Sequence, residues 1–236
     1  MRVDVALTLA LAPAPDAARD VVVLDVLRAT SSIVSALAAG ATGVEPAGTV
    51  EAAITRARAC GALLGGERDG LPPPGFDLGN SPREFEAGTC AGRLLVLSTT
   101  NGTQAVLAAR GSRRVLAGSL LNAEATARAL ATGGAQEVLL LCSGSRGQVA
   151  ADDVAAAGCL AGHLTLLAAA QPSDAARVAI ALFDAWKHDL AGLLHRSVSG
   201  RRLHAIGLQR DVEDCARVDA VPLVAELDKG GVFRKA

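Results

Sequence analysis

Val21-Val22-Val23-Leu24-Asp25-Val26-Leu27-Arg28-Ala29-Thr30-Ser31-Ser32 decides the fold class. Four successive aliphatic residues without polar alternation read as a strand buried on both faces, as in a parallel sheet covered by helices. The strand stops at a carboxylate. Hydroxyl residues then open an Ala-rich helical stretch over 30–39, which Gly40 ends. Strand, polar turn and helix make the first half of a βαβ unit, and the rest of the chain repeats the alternation. Upstream, Val3, Val5, Leu7 and Leu9 alternate as a first strand; Asp4 interrupts the apolar run that a signal peptide would need. Downstream, strands are expected at 43–47, 62–64, 94–98, 114–117 and 137–142, and helices at 50–59, 103–109, 122–131 and 150–169. The remainder reads as helical, closing with an edge strand near 221–224. The expectation is a three-layer α/β/α fold with a mixed, largely parallel sheet, forming one domain over 1–236 whose lobes, 1–120 and 121–236, would meet near residue 120.

Composition narrows the function. Half of the 236 residues are hydrophobic but only 2% are aromatic, so the core is built from Ala, Val and Leu. Stacking of nucleic-acid bases on aromatic rings has no material here, and a net charge of −1 supplies no polycation, so no nucleic-acid partner is expected. Five Cys are dispersed without a C-x-x-C pair, which fits a reducing cytoplasm. No window of about 18 uninterrupted apolar residues exists, so no membrane partner is expected.

In open α/β sheets, ligands bind beyond the carboxyl ends of the strands. Four polar clusters fall there. The first places Asp25, Arg28, Thr30 and Ser31 after the quoted strand, where a carboxylate can ligate a metal ion and an Arg can clamp an anion. The second, Gly65-Gly66-Glu67-Arg68-Asp69-Gly70, leads through a Pro-rich loop to Asn80-Ser81-Pro82. The third, Ser98-Thr99-Thr100-Asn101-Gly102-Thr103, is a plausible nest for phosphate oxygens, echoed by Ser119 and Asn122. The fourth runs Cys142-Ser143-Gly144-Ser145-Arg146-Gly147 and is followed by Asp152-Asp153, a carboxylate pair that suits Mg²⁺. Each cluster also has a plainer account, as a helix cap or an exposed turn. Pooled, they describe an anion site with about three carboxylates and about three arginines, fitted to a phosphorylated substrate held with Mg²⁺.

Several phosphate and metal motifs are absent. There is no G-x-x-x-x-G-K-[ST], no G-x-G-x-x-G after the first strands and no H-E-x-x-H. Leu27 stands where haloacid-dehalogenase phosphatases place a second Asp, and Gln148 stands where a cysteine-phosphatase loop needs Arg. Cys142 is left as a nucleophile candidate or a packing residue.

The chain resembles the 2-phosphosulfolactate phosphatase family. The resemblance rests on Asp25-Val-Leu-Arg-Ala-Thr-Ser-Ser, Leu64-Gly-Gly-Glu-Arg, Gly75-Phe-Asp-Leu-Gly-Asn-Ser-Pro, Ser98-Thr-Thr-Asn-Gly-Thr, Gly118-Ser-Leu-Leu-Asn-Ala and Cys142-Ser-Gly-Ser-Arg-Gly with Asp153, in the family's order over roughly residues 20–220. It implies a cytoplasmic, Mg²⁺-dependent phosphatase of small phosphorylated 2-hydroxy acids, an activity that serves coenzyme M synthesis in methanogens. On this resemblance Asp25, Glu67 and Asp153 would surround the metal and carry catalysis. Arg28, Arg68 and Arg146 would neutralise phosphate and carboxylate or sulfonate, and Asn101, Gly102 and Thr103 would donate to phosphate oxygens. Thr30, Ser31, Asn80, Ser81, Thr100, Ser119, Asn122, Ser143, Gly144 and Gly147 would complete the substrate site. Two positions depart from the family pattern: Ser199 stands where a His is expected, and Asp152-Asp153 replaces a Glu-Asp pair. Ser199 motivates the rival expectation, a phospho-acid-binding protein without turnover. An Ala/Leu-rich helical surface makes a homodimer the expected assembly.

Overall fold

The computed structural model describes all 236 residues. In chain order the elements are β1 (Arg2–Ala6), β2 (Arg19–Leu24), α1 (Ala29–Ala38), β3 (Gly43–Pro46), α2 (Val50–Cys60), β4 (Leu63–Gly66), α3 (Ala87–Cys90), β5 (Leu94–Ser98), α4 (Gly102–Ala109) and β6 (Arg114–Gly118). They continue with α5 (Ala123–Thr132), β7 (Glu137–Cys142), α6 (Ala151–Ala168), β8 (Gln171–Pro172), α7 (Asp174–Trp186), α8 (Leu190–Arg196), α9 (Val198–Ala205), α10 (Gln209–Cys215), β9 (Ala225–Leu227) and β10 (Phe233–Lys235). The ten strands form one sheet in the order β4-β5-β3-β10-β9-β6-β2-β7-β1-β8. Strands from either side of residue 120 interleave in it, so the sheet does not divide there.

Alternation along the strands sorts the core into two layers. Val22 and Leu24 face a cluster of 31 buried residues that includes Leu160 and Leu164 of α6, whereas Val21 and Val23 face a cluster of 24 that includes Ile33 and Val34 of α1. Helices thus cover both faces of a mixed, mostly parallel sheet, which is the three-layer α/β/α arrangement. The quoted strand is buried along its whole aliphatic run because it lies in the middle, between β6 and β7.

The end of the chain departs from expectation. The residues at 221–224 are irregular, and the strands fall later, at β9 and β10. They are not at an edge. Both lie antiparallel to their neighbours in the middle of the sheet, joining β3 to β6. A short polar segment is hard to read as a central strand, because only Phe233 and Ala225 carry its burial. Phe233 is fully buried. Phe233→Ala is expected to lower stability by about 3–5 kcal/mol, measured by denaturant unfolding; a loss under about 1 kcal/mol would show that the closing hairpin is dispensable.

This insertion positions the site. Three successive antiparallel pairings reverse the β4-β5-β3 block relative to the β6-β2-β7-β1-β8 block. In a flat sheet their carboxyl ends would lie at opposite margins. In the folded chain the loops after β2, β4 and β5 nonetheless meet: a Cβ placed on Gly102, after β5, would lie 2.6 Å from Asp25 Oδ2, after β2.

Candidate active site

The site is built around Asp25 at the end of β2. Its turn is locked from below: the Asp25 N–H donates to Thr30 Oγ1 at 3.1 Å, the Thr30 N–H donates to the Asp25 carbonyl at 2.9 Å, and Ser31 Oγ donates to the Val26 carbonyl at 2.8 Å. Thr30 and Ser31 are fully buried in these bonds. They hold the turn and do not line the cavity.

Glu67 enters from β4. Gly66 makes the entry, because a Cβ there would lie 2.0 Å from the Ser98 carbonyl oxygen. The expected glycine turn is therefore the last part of a strand pressed against β5. Glu67 Oε1 accepts the Thr100 N–H and Oε2 accepts the Gly70 N–H, both at 2.8 Å. The Ala29 and Gly102 N–H groups lie beside the Asp25 carboxylate and favour its charged form. The Thr103 N–H donates to Thr99 Oγ1 at 3.1 Å. The nest at the start of α4 thus faces the protein's own carboxylates, and its Thr100 and Thr103 N–H groups are already bonded. Asn101, by contrast, makes no capping bond and lines the cavity.

The cavity brings together Asp25, Arg28, Glu67, Asn80, Thr100 and Asn101 of the expected set, and adds Leu27, Gly70, Ser145, Ser199, Arg202 and Leu203. Arg28 is nearly fully buried and pinned: Nη1 donates to Asp211 Oδ2 and Nη2 to the Gly70 carbonyl, both at 2.7 Å. Ser81 Oγ donates to the other Asp211 oxygen at 2.6 Å, so Ser81 steadies the counter-ion and does not face a ligand. Arg68 turns back onto Ser98, donating to its carbonyl and hydroxyl. Ser119 and Asn122 form a reciprocal cap, and Asn122 reaches the Ala117 and Leu223 carbonyls. Arg146 and Gly147 are exposed outside the cavity lining.

Asp153 differs from expectation. Oδ1 accepts the Val26 N–H at 2.9 Å, while Oδ2 accepts the Gly144 N–H at 3.0 Å and the Ser143 hydroxyl at 3.2 Å. It ties the loop after β7 to the Asp25 turn and lies behind that turn, outside the cavity lining. No three His, Cys, Asp or Glu side chains come close enough to form a metal-holding group among themselves. The donors that do fit Mg²⁺ are Asp25 and Glu67, with Asn80 beside them. The Asn80 amide oxygen is buried without a partner in the same cavity. Mg²⁺ commonly takes one or two carboxylates and fills its remaining positions with water and substrate phosphate, so a three-carboxylate cage is not required.

Electrostatics agree with that donor set. Burial pushes the Asp25 carboxyl from 3.8 up to about 7, and repulsion by Asp152 and Glu67 adds to it. Burial also lifts Asp152 to about 6, and Asp152 Oδ1 has no partner. Asp153 is pushed well above the usual carboxylate range by burial, then by Asp152 and Asp25. The charged groups acting on Asp25 are acidic, which is the environment a divalent cation relieves. Cys142 is fully buried and burial drives its thiol far up, so it packs and does not attack.

Gly102→Ala tests the close approach. The added methyl would sit 2.6 Å from both Asp25 Oδ2 and the Ala29 Cβ. It is expected to reduce turnover at least about 100-fold with a smaller loss of stability, read from initial rates and thermal unfolding. Unaltered rates would mean that the Asp25–Gly102 contact is not needed for chemistry.

Sequence reasoning missed Asp211, Arg202 and Ser145. The first two come from helices far along the chain, where no strand end marks a site. Ser145 sits between Gly144 and Arg146 with nothing in the sequence to distinguish it from Ser143.

Comparison with known proteins places this site in a family. The family model described as 2-phosphosulpholactate phosphatase matches residues 7–230. A probable 2-phosphosulfolactate phosphatase of Thermus thermophilus is 41% identical over 221 residues, covering 92% of each chain. One of Carboxydothermus hydrogenoformans is 42% identical over 207 residues, covering 87% of this chain and 85% of the relative. One of Deinococcus radiodurans is 41% identical over 218 residues, covering 92% and 89%. The match runs through every element that supplies a cavity residue, and the chain belongs to the 2-phosphosulpholactate phosphatase family.

Proposed function

We propose that this chain is a Mg²⁺-dependent phosphoric monoester hydrolase acting on 2-phosphosulfolactate or a close analogue, releasing the 2-hydroxy acid and phosphate. The observation that carries the proposal is the pair of carboxylates, Asp25 and Glu67, brought into one cavity with a pinned Arg and an unpartnered amide oxygen. When bound there, Mg²⁺ would supply Lewis-acid stabilisation of charge on the phosphoryl and leaving oxygens.

The chain's own residues account for the rest. Asp25 and Glu67 are oriented by backbone N–H groups, so their oxygens are preorganised without reorganisation during the reaction. Arg28 is held at a fixed angle by Asp211 and the Gly70 carbonyl, leaving part of its fork to meet phosphate oxygens. Asn101 offers an amide beside the positive end of α4. The water or carboxylate nucleophile must approach phosphorus opposite the ester oxygen.

Phosphate release from phosphosulfolactate, phospholactate, phosphoglycolate and phosphoglycerate, with Mg²⁺ and with chelator, tests the reading. Release that requires Mg²⁺ supports it; equal release in chelator overturns the metal part, and no release from any ester overturns the whole. Ser199, which lines the cavity where the family pattern has a His, favours one rival: a protein that binds such acids without hydrolysing them. Binding without release, followed by gain of release in Ser199→His, would establish that rival.

A cytoplasmic location and a homodimer belong to the same proposal. All five cysteines are free, which suits a reducing compartment, and no helix is long and apolar enough to cross a membrane. Leu166 and Val178, 85% and 60% exposed, offer apolar surface for a second copy, and sedimentation or light scattering would test it.

A further inference from the structure

Four arginines stand around the site, and they are not equivalent. Arg28 is buried against Asp211, and Arg68 is turned onto Ser98. Arg202 lines the cavity from α9, on the same helix face as Ser199, and its guanidinium is bonded to the Asp69 carboxylate. Arg146 reaches the same carboxylate at 3.5 Å. Two cations therefore share one anion at the cavity mouth, and that anion is 84% exposed, so water and a competing anion have ready access to it.

Asp69 is held there by the backbone rather than by packing. It lies at φ 56°, in the left-handed region, between Arg68 and Gly70. The flanking residues are locked into the site, Glu67 by two N–H groups, Arg68 by Ser98 and Gly70 by Arg28 and Glu67. A non-glycine residue in that region is uncommon, although Asp tolerates it better than most. The loop thus presents a carboxylate to Arg202 and Arg146 while leaving it free to be exchanged.

We propose that Arg202 and Arg146 form the subsite for the second anionic group of the substrate, a carboxylate or sulfonate, and that Asp69 occupies this subsite until the substrate displaces it. The proposal deepens the phosphatase reading and rests on it for the identity of the ligand. Asp69 makes the site selective by charge. An ester carrying phosphate alone, with that phosphate engaged beside Asp25 and Glu67, has no second anion to replace Asp69 on the two arginines, whereas a 2-phospho acid has one, and the net positive charge left at the mouth attracts it.

The test compares wild type, Arg202→Gln and Asp69→Asn in two measurements. The first is the ratio of kcat/KM for phospholactate to that for isopropyl phosphate, which lacks the second anion. Arg202→Gln is expected to lower the ratio about 30-fold, mainly through KM, and Asp69→Asn to raise phospholactate affinity several-fold. The second is calorimetric binding of sulfolactate, which carries carboxylate and sulfonate but no phosphate and needs no turnover. Its affinity should fall in Arg202→Gln and rise in Asp69→Asn. An unchanged ratio, or weaker sulfolactate binding in Asp69→Asn, overturns the subsite, as does a wild-type protein that does not bind sulfolactate. If the wild type releases no phosphate yet sulfolactate binding shifts as stated, the phosphatase reading fails and the subsite stands. Asp69 is exposed, so its variant retains the fold and keeps the test decisive if Arg202→Gln does not.

Discussion

Asp25→Asn is expected to reduce phosphate release by about 10³-fold while making the protein more stable at pH 8 in chelator. The two effects have one cause. Asp25 is buried beside Asp152 and Glu67, and its acidity is displaced from 3.8 to about 7. The folded protein therefore holds this proton more tightly than the unfolded chain does. For such a group stability is greatest at acid pH, falls as pH rises from about 4 to about 7, and stays low above that. The full displacement corresponds to about 4 kcal/mol, an upper bound since the neighbouring carboxylates share the repulsion. Asn removes the charge but keeps one acceptor oxygen for the Ala29 or Gly102 N–H. A net gain of about 1–2 kcal/mol at pH 8, or roughly 2–8 °C in Tm, is expected, shrinking towards pH 4. In the wild type, added Mg²⁺ should raise Tm more at pH 8 than at pH 5, because proton and cation compete for the same oxygens. Loss of stability in Asp25→Asn across the whole pH range would show that its carboxylate is held by interactions strong enough to outweigh burial.

Asp211→Ala is expected to cost about 3–5 kcal/mol and most of the activity. Asp211 is the buried partner of Arg28, and it also accepts from Ser81. Truncating it leaves a guanidinium, 4% exposed, without its counter-ion in the core. Thermal unfolding should fall by about 10 °C. The double variant Arg28→Met with Asp211→Leu separates structure from function. It replaces a buried ion pair by apolar groups of similar size, so stability should largely return, while release stays low because the cavity has lost Arg28. Recovery of activity in the double variant would remove Arg28 from the substrate site.

Much of the architecture was legible because the signals are local. The strands at 94–98 and 137–142 fall where their apolar runs lie, the helix expected at 50–59 runs one residue further, and that expected at 150–169 is one residue shorter at each end. The site was half legible. A polar residue after a buried strand is visible in one dimension, so Asp25, Glu67 and Asn101 stood out. Which side chains face the cavity is not visible there. Asp153 lies behind the Asp25 turn, bonded to Val26, Ser143 and Gly144, and Thr103 pairs with Thr99, because the folded chain supplies those partners at close range.

By itself the sequence determined the layered α/β class, the aliphatic core and the strand ends at which chemistry would gather. Those follow from hydrophobic period and turn residues, which act over a few positions. Only the tertiary structure decided that a short closing hairpin enters mid-sheet and reverses one block of strands, that Asp25 meets Gly102 across that insertion while β4–β5 pairing sets Glu67 beside Thr100, and that α9 and α10 deliver Arg202 and Asp211. Such contacts join residues far apart in the chain, and they are chosen by which buried groups find partners once the sheet has closed.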